Sequence, residues 1–416
     1  MFKNKDVMRV VAARFISRIG GEAAFFIGIW GKAAYEFRAT PTQLAVLMAT
    51  LALAGMIGTV ISGVLIDRYD ARRVLIAAEA VFVPVALALM LPTQMWQLTV
   101  LAGLLGFFGA PVMTAAASFA PFLAEGGEDL EKINAWIEGA SSTSFVIGPG
   151  LGALLAQFVG LNSIFILDAA TSLIAVVLVA GVTVRRAPGP RGESHPLAEL
   201  REGLVYTYSH RSLRYPILIG TAVWLGFGAF GALEPLFYRD VLKTGVESIG
   251  YMNTLFGAGM VTGAWLFTRL PDRAVSARGL AFISALVGLG GLIYVGTDKI
   301  VVVAVGALLW GLVIGAVDVL LRVLIQSSSP DHLVGRIAGA SQMHRQAGEL
   351  LPLAVAPTLA AAFGVQAVLI GGGIVLSIAA LLSIPEAIAV DRLPLLRPSR
   401  RSGQLTAADE PVSPNP

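Results

Sequence analysis

Cysteine is absent from the 416 residues. That removes disulfides, thiolate nucleophiles and Cys-based metal sites together. Histidine is nearly absent: four residues lie scattered along the chain, with no H-E-x-x-H spacing, so no metal site is expected. A Walker-type phosphate loop is missing too, so ATP hydrolysis by this chain is not expected. Charge is scarce. Asp, Glu, Lys and Arg make up 14% of the residues, against about a quarter in soluble proteins. That shortage excludes a soluble globular enzyme, a disordered chain and a nucleic-acid-binding domain. The net charge of +3 is too small to call for a polyanionic partner.

Apolar residues are what is present, at 56%, with a mean hydropathy of +0.76. Forty-six glycines in so apolar a chain fit membrane helices, where small residues let backbones approach closely. A helix needs about 20 apolar residues to cross the hydrocarbon core. Runs of that kind number roughly twelve, centred near Phe25, Ala54, Val83, Phe107, Phe145, Ile174, Phe227, Phe256, Leu286, Ala307, Leu353 and Ile374. With an even number of spans and both ends in the cytoplasm, about 21 of the 30 Lys and Arg fall on the cytoplasmic side and about 5 outside. The outer ones are Lys32, Arg38, Arg239, Lys243 and Lys299. The reverse orientation inverts this bias. The expectation is a multi-pass protein of the cell (inner) membrane with both termini cytoplasmic. The basic N-terminus lacks a small-residue cleavage site and reads as the lead-in to the first span.

Residues 185–214 form the longest interior break. They open with a Pro/Gly-rich stretch and continue into a mildly amphipathic segment that reads as a helix on the inner membrane surface. The expected organisation is one six-helix bundle over residues 1–184, that linker, a second six-helix bundle over 215–390, and a disordered tail over 391–416. The halves repeat weakly: Ile137-Glu138-Gly139-Ala140-Ser141 resembles Ile337-Ala338-Gly339-Ala340-Ser341, and in the same register Gly148 falls opposite Gly348. Parallel repeats of six spans suggest a transporter with its site between the repeats.

The loop after the second span carries Gly63, Asp67, Arg68, Arg72 and Arg73 and resembles the signature loop of the major facilitator superfamily, except that Asp70 stands where a second Gly is usual. Gly148-Pro149-Gly150-Leu151-Gly152 is similar to the Gly-Pro-x-x-Gly motif of antiporters in that family. The stretches REGLVYTYSHRSLRY, ALEPLFYRDVL and LIQSSSPDHLVGRIAGASQ resemble its macrolide and siderophore exporters. The resemblance covers residues 7–390. It implies an all-α membrane protein of twelve transmembrane helices in two pseudo-symmetric six-helix bundles. It implies further that Asp67 and Arg68, with Arg72 and Arg73, latch the cytoplasmic side shut; an ordinary positive-inside loop is the plainer reading. Gly148, Pro149 and Gly152 read as a hinge or tight packing between halves, or as the Gly and Pro common in membrane helices. The fourth span lacks the Arg that many drug:proton antiporters carry there.

Ionisable groups inside a membrane are costly and usually functional. Three pairs have helical i,i+4 spacing: Arg18–Glu22, Asp318–Arg322 and Arg345–Glu349. They serve a site or neutralise themselves for insertion. By resemblance, the first, fourth, seventh and tenth spans line a central cavity, which marks Glu22 and Asp318 as its carboxylates. Glu138 has no local cation and is the leading candidate for proton coupling. His344 titrates in the same range or packs beside Glu349. Arg14 also lies in the hydrocarbon region. Glu79 and Glu234 read as solvated near span ends, and Asp168 as a packing group. Phe26, Trp30, Trp224 and Phe227, with Phe25 and Phe230, form either an apolar wall for a lipophilic substrate or lipid-facing positions.

These features point to a secondary transporter, not an enzyme, exporting lipophilic or amphipathic small molecules by proton antiport with rocking halves. Its expected partners are a small-molecule substrate, protons and membrane lipids, without nucleic acid or cofactor, and as a monomer. A lysophospholipid or siderophore transporter is the alternative, and a membrane-embedded sensor or enzyme the alternative of another class.

Overall fold

A computed structural model describes residues 4–69, 71–117, 120–124, 127–183 and 196–393. Asp70, most of the Pro/Gly-rich stretch after Thr183 and the expected disordered tail beyond Leu393 lie outside the described residues. Within them the chain is helical: α1 (Lys5–Ala23), α2 (Pro41–Arg68), α3 (Ala71–Ala88), α4 (Met95–Ala117), the single turn α5 (Ala120–Leu123), α6 (Gly127–Phe158), α7 (Asn162–Ala180), α8 (Pro196–Ser209), α9 (Arg211–Leu236), α10 (Glu247–Phe267), α11 (Ala277–Val295), α12 (Ile300–Ser327), α13 (Val334–Phe363), α14 (Val365–Leu382) and α15 (Ile384–Val390). Two π-helical segments, Ala24–Ile29 and Lys32–Glu36, extend α1, and another, Phe237–Leu242, extends α9. Each of the twelve expected span centres falls in a different helix.

Nine helical segments among the described residues are long and apolar enough to cross a membrane. The other long helices, α1, α3 and α10, have reasons in their residues. The first carries Arg9, Arg14, Arg18 and Glu22, the second Arg72, Arg73 and Glu79, and the third is diluted by Gly, Thr and Asn. Such helices are sheltered by neighbours instead of facing lipid on all sides.

The packing repeats. In the first part α1 packs on α6 and α7, α4 on α2 and α3, and α3 on α7; in the second, α9 packs on α13 and α14, α12 on α10 and α11, and α11 on α14. The parts meet through α6 against α10 and α2 against α13 and α9. The glycines repeat with them. A Cβ added at Gly148 would meet Ile19 O at 2.9 Å, Glu22 Cβ at 2.6 Å and Ala23 N at 3.4 Å. One added at Gly348 would meet Thr221 O at 2.9 Å, Trp224 Cβ at 2.9 Å and Leu225 N at 3.3 Å. The same three kinds of atom, in the same i, i+3, i+4 order, face both glycines. Gly259 and Gly263 of α10 likewise admit α12 to backbone contact, and Gly311 and Gly315 return the contact. These are the small residues that close helix packing in lipid requires.

Polar caps hold the helix ends at the face where the chain begins. The Asn4 side chain accepts from Asp6 N and Val7 N, and Asp6 accepts from Thr183 N. Arg9 donates to Gly181 O, and Arg72 donates to Val179 O and Ala180 O. Guanidinium groups thus sit on the last carbonyls of α7, where the helix dipole is negative. At the other part, Asp391 accepts from Ala277 N at 2.6 Å and pairs with Arg278 at 2.7 Å, and Arg211 forks onto Glu386. The linker helix α8 docks on α13 through the Arg336–Glu202 pair and a 2.7 Å bond between Tyr208 Oη and His344 Nε2. The sequence placed the second bundle's start at residue 215. In the structure His210 is the N-cap, and Arg211–Arg214 already belong to α9.

Candidate functional site

A central cavity of about 790 Å³ lies between the two parts, lined from α1, α2, α3, α4, α6 and α7 on one side and from α9 to α13 on the other. Aromatic rings line it from both parts. In the first part Trp30 packs 5.2 Å from Phe26 and 5.5 Å from Phe25, and Phe26 lies 5.7 Å from Phe145. In the second, Trp310 is the hub, 5.5 Å from Phe227, 4.5 Å from Phe230, 5.1 Å from Phe256 and 5.3 Å from Tyr294. Phe145 and Phe256 bridge the two groups at 6.5 Å. The four aromatics named from sequence, Phe26, Trp30, Trp224 and Phe227, all line the cavity. Trp310, Tyr294, Phe145 and Phe256 were missed. Trp310 lies in a strongly apolar helix, where composition alone does not separate a lipid-facing ring from a cavity-facing one.

Two ion pairs border this wall. Arg18 Nη2 pairs with Glu22 at 2.7 Å, and Arg345 Nε pairs with Glu349 at 3.0 Å. The Arg345 guanidinium also lies 3.9 Å from the centroid of the Trp224 ring, a cation–π contact. Both i,i+4 pairs form as the spacing predicts. The third does not: Asp318 lines the cavity, Arg322 is exposed outside it, and among the described residues no ion pair joins them. Asp318 has Arg345 as its leading electrostatic partner instead.

Several residues fall where the sequence did not put them. Glu138 is exposed and does not line the cavity. The inward stripe of α6 runs through Ile133, Ile137, Ser141, Ser144 and Gly148, and Glu138 stands one residue out of that register. It also has a cation in reach, Arg14, whose Nε donates to Ser141 Oγ at 3.1 Å. His344 is bound to Tyr208 and to Ala340 O, away from Glu349. Lys32, counted as an outer loop cation, is buried against Glu36 at 3.2 Å. Glu79 and Glu234 are buried cavity residues, not solvated ends. Glu79 accepts from Ser17 Oγ at 2.8 Å, and Glu234 accepts from the Tyr294 hydroxyl, which also bonds Tyr238. Asp168 is fully buried and reaches the cavity.

The loop and motif residues are placed as follows. Asp67 and Arg68 close α2, with Arg68 and Arg73 exposed, and the Cβ position of Gly63 is open. Pro149 lies inside α6 at the crossing with α10. A Cβ on Gly250 would meet Pro149 O at 2.3 Å, and one on Gly150 would meet Thr254 Oγ1 at 2.7 Å. Thr254 donates to Val146 O at 2.9 Å. On the other face of α6, Gly152 abuts Ala23 and Ile27 of the first helix. The Gly-Pro segment therefore packs helices across the boundary between the two parts.

Over residues 10–352 the chain matches the sequence profile of the Major Facilitator Superfamily. The chain belongs to that family. Among its relatives, the uncharacterised MFS-type transporter YfiS of Bacillus subtilis is 24% identical, over 97% of this chain and 99% of its own. The multidrug efflux pump Tap of Mycobacterium tuberculosis is 25% identical over 85% of this chain and 86% of the pump. Macrolide efflux protein A of Streptococcus pyogenes is 27% identical over 49% of this chain and 52% of its own. Among solved structures, the nucleoside transporter NupG superposes with a TM-score of 0.73 at 12% identity, covering 90% of this chain and 99% of NupG. A bacterial homologue of the lysosomal transporter Spinster, inward-facing and unoccupied, does so with 0.71 at 12% identity, covering 93% and 98%. At such identities these structures speak for the major facilitator fold alone. The chain is accordingly a multi-pass membrane transporter.

Proposed function

We propose that this protein is a twelve-span exporter of lipophilic or amphipathic small molecules, driven by proton entry and working by alternating access between two six-helix halves. The observation that carries the reading is the aromatic cavity between the halves, bordered by the Arg18–Glu22 and Arg345–Glu349 pairs. A volume of about 790 Å³ falls within the range of drug-sized pockets, roughly 300–1,000 Å³. The multidrug and macrolide names of the relatives support the substrate class. In this reading, Glu22 and Asp318 meet the charged end of a substrate, and Phe26, Trp30, Trp224, Phe227 and Trp310 meet its apolar body. Glu138, outside the cavity, takes no such part.

With both termini in the cytoplasm, as the Lys/Arg bias indicates, the protein is closed on its outer side. Arg239 Nη1 donates to Ala34 O at 2.8 Å and Ala39 O at 3.1 Å, and Tyr251 donates to Gln157 at 2.6 Å, joining the halves there. The bonds described at the inner face run within one half.

The test is transport. Protein reconstituted in liposomes should move a fluorescent lipophilic cation when a pH gradient is imposed, with flux following the sign of the gradient. Absence of flux under every gradient overturns the reading. Lysophospholipid movement without proton dependence would replace it.

A further inference from the structure

α1, α3 and α7 pack together, and at their junction lie oxygens that the substrate cavity leaves unused. Asp168 on α7 is 0% exposed, and neither of its carboxylate oxygens has a hydrogen-bond partner. One turn further on, the Ser172 hydroxyl is also fully buried and unpartnered. On α3, Glu79 takes the Ser17 hydroxyl on one oxygen, and its other oxygen is unpartnered. Glu79 is in electrostatic reach of Asp168, and Ser172 lies beside it. Gly20 closes the site from α1: a Cβ there would fall 2.0 Å from Thr171 Oγ1 and 3.1 Å from Asp168 Oδ1. Ser17, Glu79 and Asp168 also line the central cavity, which gives the site an entrance.

An ionised carboxylate buried without donors is strongly disfavoured. Two facing each other cost more. The charged groups around them do not remove the problem. From α1 come Arg14, in electrostatic reach of Glu79, and the Arg18–Glu22 pair, already matched; Glu138 on α6 competes for Arg14. All the unpartnered atoms are hard oxygens, which suit small hard cations, not soft metals. Two carboxylates with hydroxyls make a sparse set, and among the described residues no group of three metal-ligating side chains occurs. That favours a single charge over a divalent ion.

We propose that Glu79 and Asp168, with the hydroxyls of Ser17 and Ser172, form a binding site for a small monovalent cation, a proton or Na+, in the first half of the transporter. Its role as the coupling site rests on the transport reading above; its existence as a cation site does not. The site is separate from the Arg18–Glu22 pair, so substrate and cation occupy neighbouring places, joined through Ser17 and Glu22 of α1.

The purified full-length protein, with Glu79→Gln, Asp168→Asn and Ser172→Ala, tests this. Melting temperature is measured in sodium chloride against choline chloride at equal ionic strength, and the protonated-carboxyl stretch is followed by infrared spectroscopy across pH. For a sodium site, sodium raises the melting temperature of the wild type, and the rise is lost in Glu79→Gln and Asp168→Asn and weakened in Ser172→Ala. For a proton site, sodium has no effect, a titrating carboxyl band is lost in the two carboxylate variants, and Ser172→Ala shifts its titration. If sodium has no effect and the band titrates alike in all four proteins, the proposal is overturned. Should Asp168→Asn fail to fold, Glu79→Gln and Ser172→Ala carry the decision. Cation binding in a protein that moves no dye leaves this site standing and sinks the transport reading; dye export without either cation signal does the reverse.

Discussion

Glu234 illustrates why single residues resist reading from sequence. Hydropathy averages along a helix and is blind to its rotation, so a carboxylate eight residues from the end of its span, Arg211–Leu242, looks solvated. Its true setting, against the Tyr294 hydroxyl, is fixed by how α9 turns toward α11. Glu79 was misread for the same reason, as was Glu138 in the opposite direction. The i,i+4 pairs were legible because their partners sit on one helix, where spacing alone sets the geometry. Tyr294→Phe removes a donor from buried Glu234 and should destabilise the protein by about 1–3 kcal/mol, read as a lower melting temperature. Adding Glu234→Leu should restore part of the loss, because it removes the carboxylate left without that donor, while the buried Tyr238 hydroxyl stays without its Tyr294 partner. No recovery would mean that Tyr294 acts through its ring packing on Trp310.

At the scale of the helix, the places of the long helices were legible because length and apolarity are properties of the segment itself. Start points were less so: His210 ends α8 and begins α9 in one residue, with no Pro or Gly to mark it. Close packing follows the glycines unevenly. A side chain at Gly263 would meet Leu312 O within 1.8 Å, while Gly339 has open space. Gly263→Leu should therefore force α10 and α12 apart at a cost of about 3 kcal/mol or more, whereas Gly339→Leu should leave thermal stability nearly unchanged. Equal effects would refute the packing account. The short helix α15 adds a pH dependence outside the spans. The hydrogen bonds from Arg211 hold the Glu386 carboxyl below its ordinary range. A carboxylate with a lowered folded-state pKa stabilises above its unfolded pKa of about 4.3, and that contribution fades as pH falls through the lowered value. The pair is exposed, so the effect is small. Glu386→Gln should melt slightly below wild type at neutral pH and together with it in strong acid; a gap that persists in acid would assign the difference to packing.

For the whole molecule, the family was legible from the loop around Asp67 and the Gly-Pro segment, while the conformational state was not, since one sequence serves every state of the cycle. In the proposed orientation, Arg239 is, with Tyr251, a contact that holds that state at the outer face. Hydrogen bonds from a charged donor are worth roughly 1.5–3 kcal/mol each, so Arg239→Ala should shift the population toward outward-open forms by about tenfold or more. The cysteine-free chain accepts paired spin labels on the outer ends of α1 and α9 without background. Their distance distribution should lengthen in Arg239→Ala; an unchanged distribution would show that Arg239 does not set the balance.

The matched glycines Gly148 and Gly348 carry one last implication. They put Glu22 and Trp224 at corresponding stations of the two halves, the first beside the guanidinium of Arg18 and the second beneath that of Arg345. The mould is twofold in shape but not in chemistry. Each half sets an Arg–Glu pair on the cavity, but at the matched station itself one half offers a carboxylate and the other an indole, so the two ends of the cavity are not interchangeable.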